Sequence, residues 1–159
     1  MSTSSPITSA PSEAPAQVDP RGLRFAAALT SVVVAAALLT VEPVREAAIV
    51  LTAVQTVVFA IGAFLGVRHS PYGRIFGRLV RPRLAPPTEL EDARPPRFAQ
   101  AVGLVFTTVA LVALALDGQV VALVALALAL VAALLNAVVG LCLGCEMYLL
   151  VRRVAAPAT

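Results

Sequence analysis

Charged residues are scarce in this sequence, and lysine and tryptophan are absent altogether. Only 13% of the residues are charged and 59% are hydrophobic, whereas a typical soluble domain is about a quarter charged and about half apolar. Aromatic residues contribute only 5%, so the apolar residues are mainly alanine, valine and leucine. With a mean hydropathy of +0.90, the composition excludes an ordinary soluble domain and predicts an integral membrane protein.

Charge is also nearly absent from the apolar segments themselves. Glu146 is the one acidic residue inside them, whereas pumps and proton-coupled transporters usually carry acidic or histidine residues at mid-membrane. This scarcity argues against a transporter. A single histidine, His69, and two cysteines are too few for the four ligands of a zinc site. We therefore predict no metal and no cofactor.

Four apolar windows are each long enough to cross about 30 Å of hydrocarbon, which takes roughly 20 residues of helix. They cover residues 25–41, 47–67, 98–116 and 120–151. The fourth is over-long, so we expect it to tilt or to extend past the bilayer surface. None shows the alternation of a barrel strand. The predicted fold is therefore an all-α integral membrane protein with four transmembrane helices.

The arginines predict the orientation of this transmembrane domain, which covers residues 19–153. Eleven of the twelve lie before helix one, between helices two and three, or after helix four. The positive-inside rule places that side in the cytoplasm, so we expect a multi-pass inner (plasma) membrane protein with both termini cytoplasmic. Outside the domain, residues 1–18 are rich in Ser, Pro and Ala and are predicted to be disordered. Residues 154–159 form a short tail.

A repeated motif predicts that the domain consists of two tandem helical hairpins. Residues 19–26 and 92–99 both read D-x-R-x-x-R-F-A, and they precede helices one and three. A second echo pairs residues 62–66 with residues 140–144, each with glycine at both ends. We infer duplication of one ancestral hairpin. The alternative is that Arg-Phe simply suits the start of a membrane helix.

Small residues one helical turn apart predict close helix packing. They are Gly62, Gly66, Gly140 and Gly144. Such spacing lets helix backbones approach each other within a membrane. Asn136, one turn before Gly140, is expected to donate an interhelical hydrogen bond, with Gln55 as its candidate partner. A homo-oligomer is an open alternative.

The loop between helices two and three contains a predicted amphipathic helix over residues 71–81. Ser70 and Pro71 are a favourable N-cap and first residue. The apolar positions that follow at helical spacing are Tyr72, Ile75, Phe76, Leu79 and Val80. Arg74, Arg78 and Arg81 lie on another face, so the helix is expected to rest at the membrane surface and bind anionic lipid. The alternative is that these arginines bind an anionic substrate or a partner protein.

The two cysteines, Cys142 and Cys145, are three residues apart near the end of the fourth window. On a continuous helix their thiols share one face, point away from the glycine stripe and overlap with Glu146. A C-x-x-C pair in a reducing cytoplasm is typical of redox or metal chemistry rather than of a structural disulfide. The alternative is simple packing, because a free cysteine behaves as a small hydrophobe.

Residues 70–106 ("SPYGRIFGRLVRPRLAPPTELEDARPPRFAQAVGLVF") and 135–153 ("LNAVVGLCLGCEMYLLVRR") resemble an uncharacterised bacterial membrane family, the domain-of-unknown-function family 4395. The resemblance includes a G-x-C-x-G-C-E motif, here at residues 140–146. It implies an association with thioredoxin-like proteins and thiosulfate sulfurtransferases, and the family has no settled activity.

These patterns favour a thiol redox or sulfur-relay accessory rather than a stand-alone enzyme. Cys142 and Cys145 would exchange with a cytoplasmic thioredoxin-like or sulfurtransferase protein, and Glu146 would accept the proton. The rival hypothesis is a non-catalytic scaffold that binds lipid or a partner and in which the cysteines only pack. A channel for small solutes is a third, and nucleic acid is not an expected partner.

The arginine asymmetry makes a topology prediction. A reporter fused after Arg153 or inserted near Pro87 is expected in the cytoplasm, and one inserted at Gly118 outside. Alkaline phosphatase and fluorescent-protein fusions measure the two outcomes. Finding Pro87 and Gly118 on the same side would rule out four spans.

Overall fold

The structure, a computed structural model, describes residues 16–155. Within that range the chain forms six α-helices: α1 (Pro20–Thr40), α2 (Arg45–Leu65), α3 (Pro71–Ile75), α4 (Arg94–Ala115), α5 (Gln119–Val139) and α6 (Leu143–Ala155). Helices α1, α2, α4 and α5 have 21 or 22 residues and are apolar enough to cross a membrane. The chain is therefore an all-α membrane protein with four transmembrane helices, as the sequence predicts.

The four long helices form a ring. Helix α1 packs against α2 and α5, and α4 packs against the same two helices. In the direction of the chain, α1 and α4 start at the end of the bundle that carries most of the arginines, and α2 and α5 finish there. We call this the arginine-rich end and the other the opposite end.

Small side chains close the opposite half of the bundle. The buried cluster there contains Val34, Ala37, Val41, Ala48, Ala110, Ala113, Leu114, Ala122, Ala125, Leu126 and Ala129. Alanine allows close backbone approach, which matters in lipid because burial of apolar surface gives little driving force there. Polar contacts then join the two short connections. Arg45 forms an ion pair with Asp117, and Gln119 donates to Glu42 at 3.2 Å.

The prediction of one long fourth helix is wrong. Helix α5 ends at Gly140, whose φ of 77° lies in the left-handed region that favours glycine. The chain changes direction there, and α6 begins at Leu143 as a separate amphipathic helix. The apolar run in the sequence continues through this break. The fourth apolar window is therefore over-long because it contains parts of two helices, not because one helix is tilted.

The predicted amphipathic helix over residues 71–81 also differs in form. It is α-helical only as far as Ile75, and a π turn (Phe76–Val80) and a 3₁₀ turn (Arg81–Arg83) follow. Phe76 is the buried side chain of this segment, 5% exposed, and its ring lies against Gly22 and Phe25. The wider turn coincides with the residue that docks onto α1.

Part of the predicted tail is ordered. Gln17–Val18 form strand β1, which pairs antiparallel with strand β2 (Glu91–Asp92). The rest of the expected disorder, residues 1–15, lies outside the described residues. At the other end α6 extends through Ala155, and residues 156–159 also lie outside them.

The contacts support the inferred duplication. Val18 pairs with Glu91, and these positions are separated by the same 73 residues that separate Asp19 from Asp92 in the repeated motif. Phe25 contacts Phe76 with ring centroids 5.8 Å apart, and Phe98 contacts Tyr148 at the same distance. Each repeat is thus a hairpin followed by a short surface helix, α1–α2–α3 and α4–α5–α6.

The sequence similarity between residues 62–66 and 140–144 is offset by one helical turn from the structural correspondence of the two repeats. Gly66, with φ of 95°, ends α2, and Gly140, with φ of 77°, ends α5. The structural equivalent of Gly140 is therefore Gly66, not Gly62. Both residues terminate helices, so the expectation that they serve close packing is wrong for these two.

The second arginine of each motif caps a helix of the other repeat. Arg24 on α1 donates to the carbonyl of Val138 at the end of α5, at 2.9 Å. Arg97 on α4 donates to the carbonyls of Ala63 and Phe64 at the end of α2, at 2.6 and 2.7 Å. A cation at a helix C-terminus satisfies otherwise unpaired carbonyls and complements the helix dipole. The two hairpins are therefore tied to each other reciprocally.

We expect Arg97→Ala to destabilise the bundle by about 1 kcal/mol, because two carbonyls at the end of α2 lose their donor. Arg94→Ala is the matched control, since its side chain is exposed and its bond to Asp92 is formed by the backbone amide, which the substitution keeps. Thermal unfolding of the purified protein in detergent measures the difference. Equal midpoints for the two variants would contradict the capping role.

Candidate functional site

The cysteine pair lies at the start of α6. The carbonyl of Cys142 accepts the amide of Glu146 at 3.0 Å, which is the first hydrogen bond of the helix and puts Cys142 at the N-cap position. Cys145 lies in the first turn. The two Cα atoms are 5.2 Å apart and the sulfurs are joined as a disulfide. The expectation of a mid-helix pair is wrong, because the helix that would contain it ends at Gly140.

The position at a helix N-terminus has a chemical consequence. Unpaired backbone amides and the helix dipole stabilise negative charge in the first turn. In a reduced pair, a thiolate on Cys142 would lie at this favourable position. A cysteine at such a place is typical of redox proteins rather than of buried packing.

Helix α6 is fixed against the start of α4. A Cβ added to Gly144 would lie 2.6 Å from the Cα of Ala99, so only glycine permits this approach. The ring of Tyr148 contacts Phe98. Glu146 is exposed, as are Arg152 and Arg153 near the end of the helix. The contacts with α4 therefore hold the cysteine pair in place while the other face remains open.

A cavity of about 540 Å³ occupies the arginine-rich half of the bundle, and Cys142 forms part of its wall. The wall is mostly apolar and includes Leu23, Ala26, Phe59, Val102, Phe106, Leu128 and Ala132. Its deepest residue on α1 is Thr30, ten residues beyond Pro20, or about 15 Å into the bundle at 1.5 Å per residue. Beyond that depth the alanine-rich cluster closes the bundle. The cavity is a blind pocket.

Polar side chains are present at several depths of this cavity. Tyr72 donates its hydroxyl to the Oε1 of Gln55 at 2.9 Å, and Gln55 donates to Thr30 at 3.4 Å. Burial raises the pKa of Tyr72, so the hydroxyl remains a donor at neutral pH. Gln100 and Asn136 are also lining residues. The predicted Gln55–Asn136 pair is wrong, because α2 and α5 lie diagonally across the ring.

Arginines surround the mouth of the cavity. The predicted membrane-surface residues Arg74, Arg78 and Arg81 are all exposed there, together with Arg68. Asp19 is the acidic residue among the lining residues that the structure describes. A hydrogen bond from Arg21 holds the pKa of Asp19 below its usual value, so this carboxylate stays ionised. The mouth nevertheless carries a net positive charge.

The remaining predicted residues have separate places. Gly62 packs against Gln100, where an added Cβ would lie 2.5 Å from Oε1. Within residues 16–155, no group of three His, Cys, Asp or Glu residues is placed to bind a metal ion. Sequence reasoning missed Thr30, Tyr72 and Gln100 as cavity residues. The available signal was a polar side chain within or beside an apolar window.

A comparison of the sequence with models of known protein families identifies the family to which the chain belongs. The family described as "Domain of unknown function (DUF4395)" matches residues 18–153. The chain belongs to that family. Neither the curated proteins nor the solved structures give a match. The DUF4395 match includes both repeats and the whole cavity wall.

The close approach at Gly144 makes a stability prediction. Gly144→Ala should destabilise the protein by about 1–3 kcal/mol and loosen α6, because the new methyl group overlaps the backbone of Ala99. Gly77→Ala is the matched control, since an added Cβ there meets nothing within 4 Å. Thermal unfolding in detergent and the alkylation rate of the reduced cysteines report the two effects. Similar behaviour of both variants would contradict the tight docking of α6.

Proposed function

We propose that the protein is a membrane-bound thiol–disulfide exchange accessory whose reactive pair is Cys142–Cys145. The observation that carries the proposal is the pairing of these cysteines at the N-terminus of α6, beside a deep cavity. The positive-inside rule supports a cytoplasmic position for the arginine-rich end, and therefore for both termini. The bilayer would be the inner membrane. The partner would be a small cytoplasmic protein of the thioredoxin-like or sulfurtransferase class.

The two cysteines are placed for different parts of the exchange. Cys142 lines the cavity, whereas Cys145 is not among its lining residues. A partner thiolate would attack the sulfur of Cys145, form a mixed disulfide and release Cys142 as a thiolate. A second partner thiol would then attack the mixed disulfide and leave both cysteines reduced. The helix N-terminus favours this course because it stabilises the leaving thiolate of Cys142.

Glu146 supports the proton transfers. Its side chain is exposed in the first turn of α6, directly after Cys145. It can accept the proton of an incoming thiol before that thiol attacks. With a sulfurtransferase as partner, the reduced Cys145 would instead take a sulfane sulfur and leave the partner's cysteine as a thiolate.

The two surface segments support attachment to the cytoplasmic leaflet. Arg74, Arg78 and Arg81 are exposed beside the apolar side chains of Ile75 and Leu79. Helix α6 likewise combines exposed apolar residues with arginines near its end. Such segments lie at the headgroup level and favour anionic lipids. The disulfide would therefore be at the membrane surface, within reach of a soluble protein.

Single serine substitutions test the exchange. In Cys142→Ser, the Cys145 thiolate can still attack the disulfide of an oxidised partner, but no second cysteine is left to resolve the product, so we expect a stable mixed disulfide with a small cytoplasmic protein. Cys145→Ser should trap much less of it. Non-reducing electrophoresis and mass spectrometry of the adduct measure both. Equal trapping would contradict the assignment of Cys145, and failure of both variants to form adducts would favour the scaffold hypothesis.

A further inference from the structure

We propose that the cavity binds the head group of a membrane quinone, and that the reduced Cys142–Cys145 pair passes two electrons to it. This inference rests on the proposed thiol exchange and adds the electron acceptor. It follows from a cysteine, Cys142, among the lining residues of a blind, mostly apolar pocket within a membrane protein. The pocket is separate from the face at which a soluble partner would attack Cys145.

The dimensions and depth of the cavity indicate a lipophilic ligand. Its volume of about 540 Å³ lies within the roughly 300–1,000 Å³ of small-molecule sites. It extends about 15 Å from the start of α1, which is about half the thickness of the hydrocarbon layer. Leu128 and Met147 contribute to the wall and are themselves 51% and 49% exposed. The edge of the pocket between α5 and α6 is therefore apolar and accessible, and we infer that an isoprenoid tail would leave the pocket there.

The polar groups in the pocket suit a ligand whose oxygens accept hydrogen bonds. Gln100 and Asn136 are among the lining residues, and their side-chain amides carry N–H donors. Quinone carbonyl oxygens are acceptors only, and their reduction develops negative charge on them. The positive field of Arg68 and Arg74 at the mouth favours that charge. A lipid acyl chain could fill the same apolar volume, but it has no oxygen to accept hydrogen bonds from these donors and no group that reacts with a thiol.

Oxidation of the reduced cysteine pair by a quinone needs no further reactant. The Cys142 thiolate adds to the quinone ring and forms a carbon–sulfur bond. The Cys145 thiolate then attacks the sulfur of Cys142, so that the disulfide forms and the carbon–sulfur bond breaks with its electron pair remaining on the ring. The two protons released by the thiols end on the two oxygens of the hydroquinone. In total, a dithiol and a quinone become a disulfide and a hydroquinone.

A single-turnover measurement tests this step on the full chain. The protein in phosphatidylcholine nanodiscs is reduced, freed of reductant without oxygen, and mixed with decylubiquinone, whose fully substituted ring does not form stable thiol adducts. We expect two alkylatable thiols to be lost for each quinone reduced. Ala132→Leu fills the pocket and should slow this oxidation about tenfold or more, because the ring can no longer align with the sulfur. Ala115→Leu, on the exposed end of α4, is the matched control.

A second oxidant separates failure of this inference from failure of the proposed exchange. Oxidised glutathione is soluble in water and reaches the cysteines without entering the cavity, so Ala132→Leu should leave that reaction unchanged. If quinone oxidises the wild type and Ala132→Leu equally fast, the cavity is not a quinone site, although thiol exchange stands. If neither oxidant removes the thiols, both proposals fail. Asn136→Leu provides a second pocket variant, and thermal unfolding verifies that each variant is folded.

Discussion

The carbonyl groups at the ends of membrane helices must find hydrogen-bond donors, and this requirement organises the arginine-rich end of the bundle. Helices α2 and α5 both finish there, at Gly66 and Gly140. Arg97 and Arg24 supply donors to their last turns from the neighbouring repeat. Because each repeat caps the other, the position of either hairpin depends on both. The positions of the cavity walls and of the start of α6 therefore depend on how the two hairpins are joined.

The duplication makes the asymmetry of the site visible. Ser70 and Cys142 occupy equivalent positions, 72 residues apart, and each carbonyl accepts the first amide of its surface helix at 3.0 Å. Both residues line the cavity. In the first repeat the Ser70 hydroxyl accepts the amide of Gly73, which is an ordinary helix cap. In the second repeat the corresponding positions carry Cys142 and Cys145. The same cap position is therefore a serine that caps its helix in one repeat and a member of the cysteine pair in the other.

The sequence predicts the framework well because its signals are local. Four apolar windows and the repeated motif before α1 and α4 were sufficient for the number of transmembrane helices and the two hairpins. The break at Gly140 was missed because the apolar run continues through it, and a lone glycine between valine and leucine looks like packing. The cavity could not be predicted, because it depends on which faces of α1, α4 and α5 meet. The pairing of Gln55 with Tyr72 and Thr30 depends in the same way on the order of helices around the ring.

The two halves of the bundle contribute differently to its stability. In lipid, helix association depends on close van der Waals contact, because burial of apolar surface adds little. The opposite half supplies that contact through alanines such as Ala48, Ala110 and Ala122, which are fully buried. A cavity of this volume in the other half forgoes such contacts and is destabilising by itself. It can persist because the alanine cluster holds the helices together at the opposite end and the reciprocal arginine caps join the two hairpins at the arginine-rich end. The open volume beside Cys142 is thus a feature that the rest of the fold maintains.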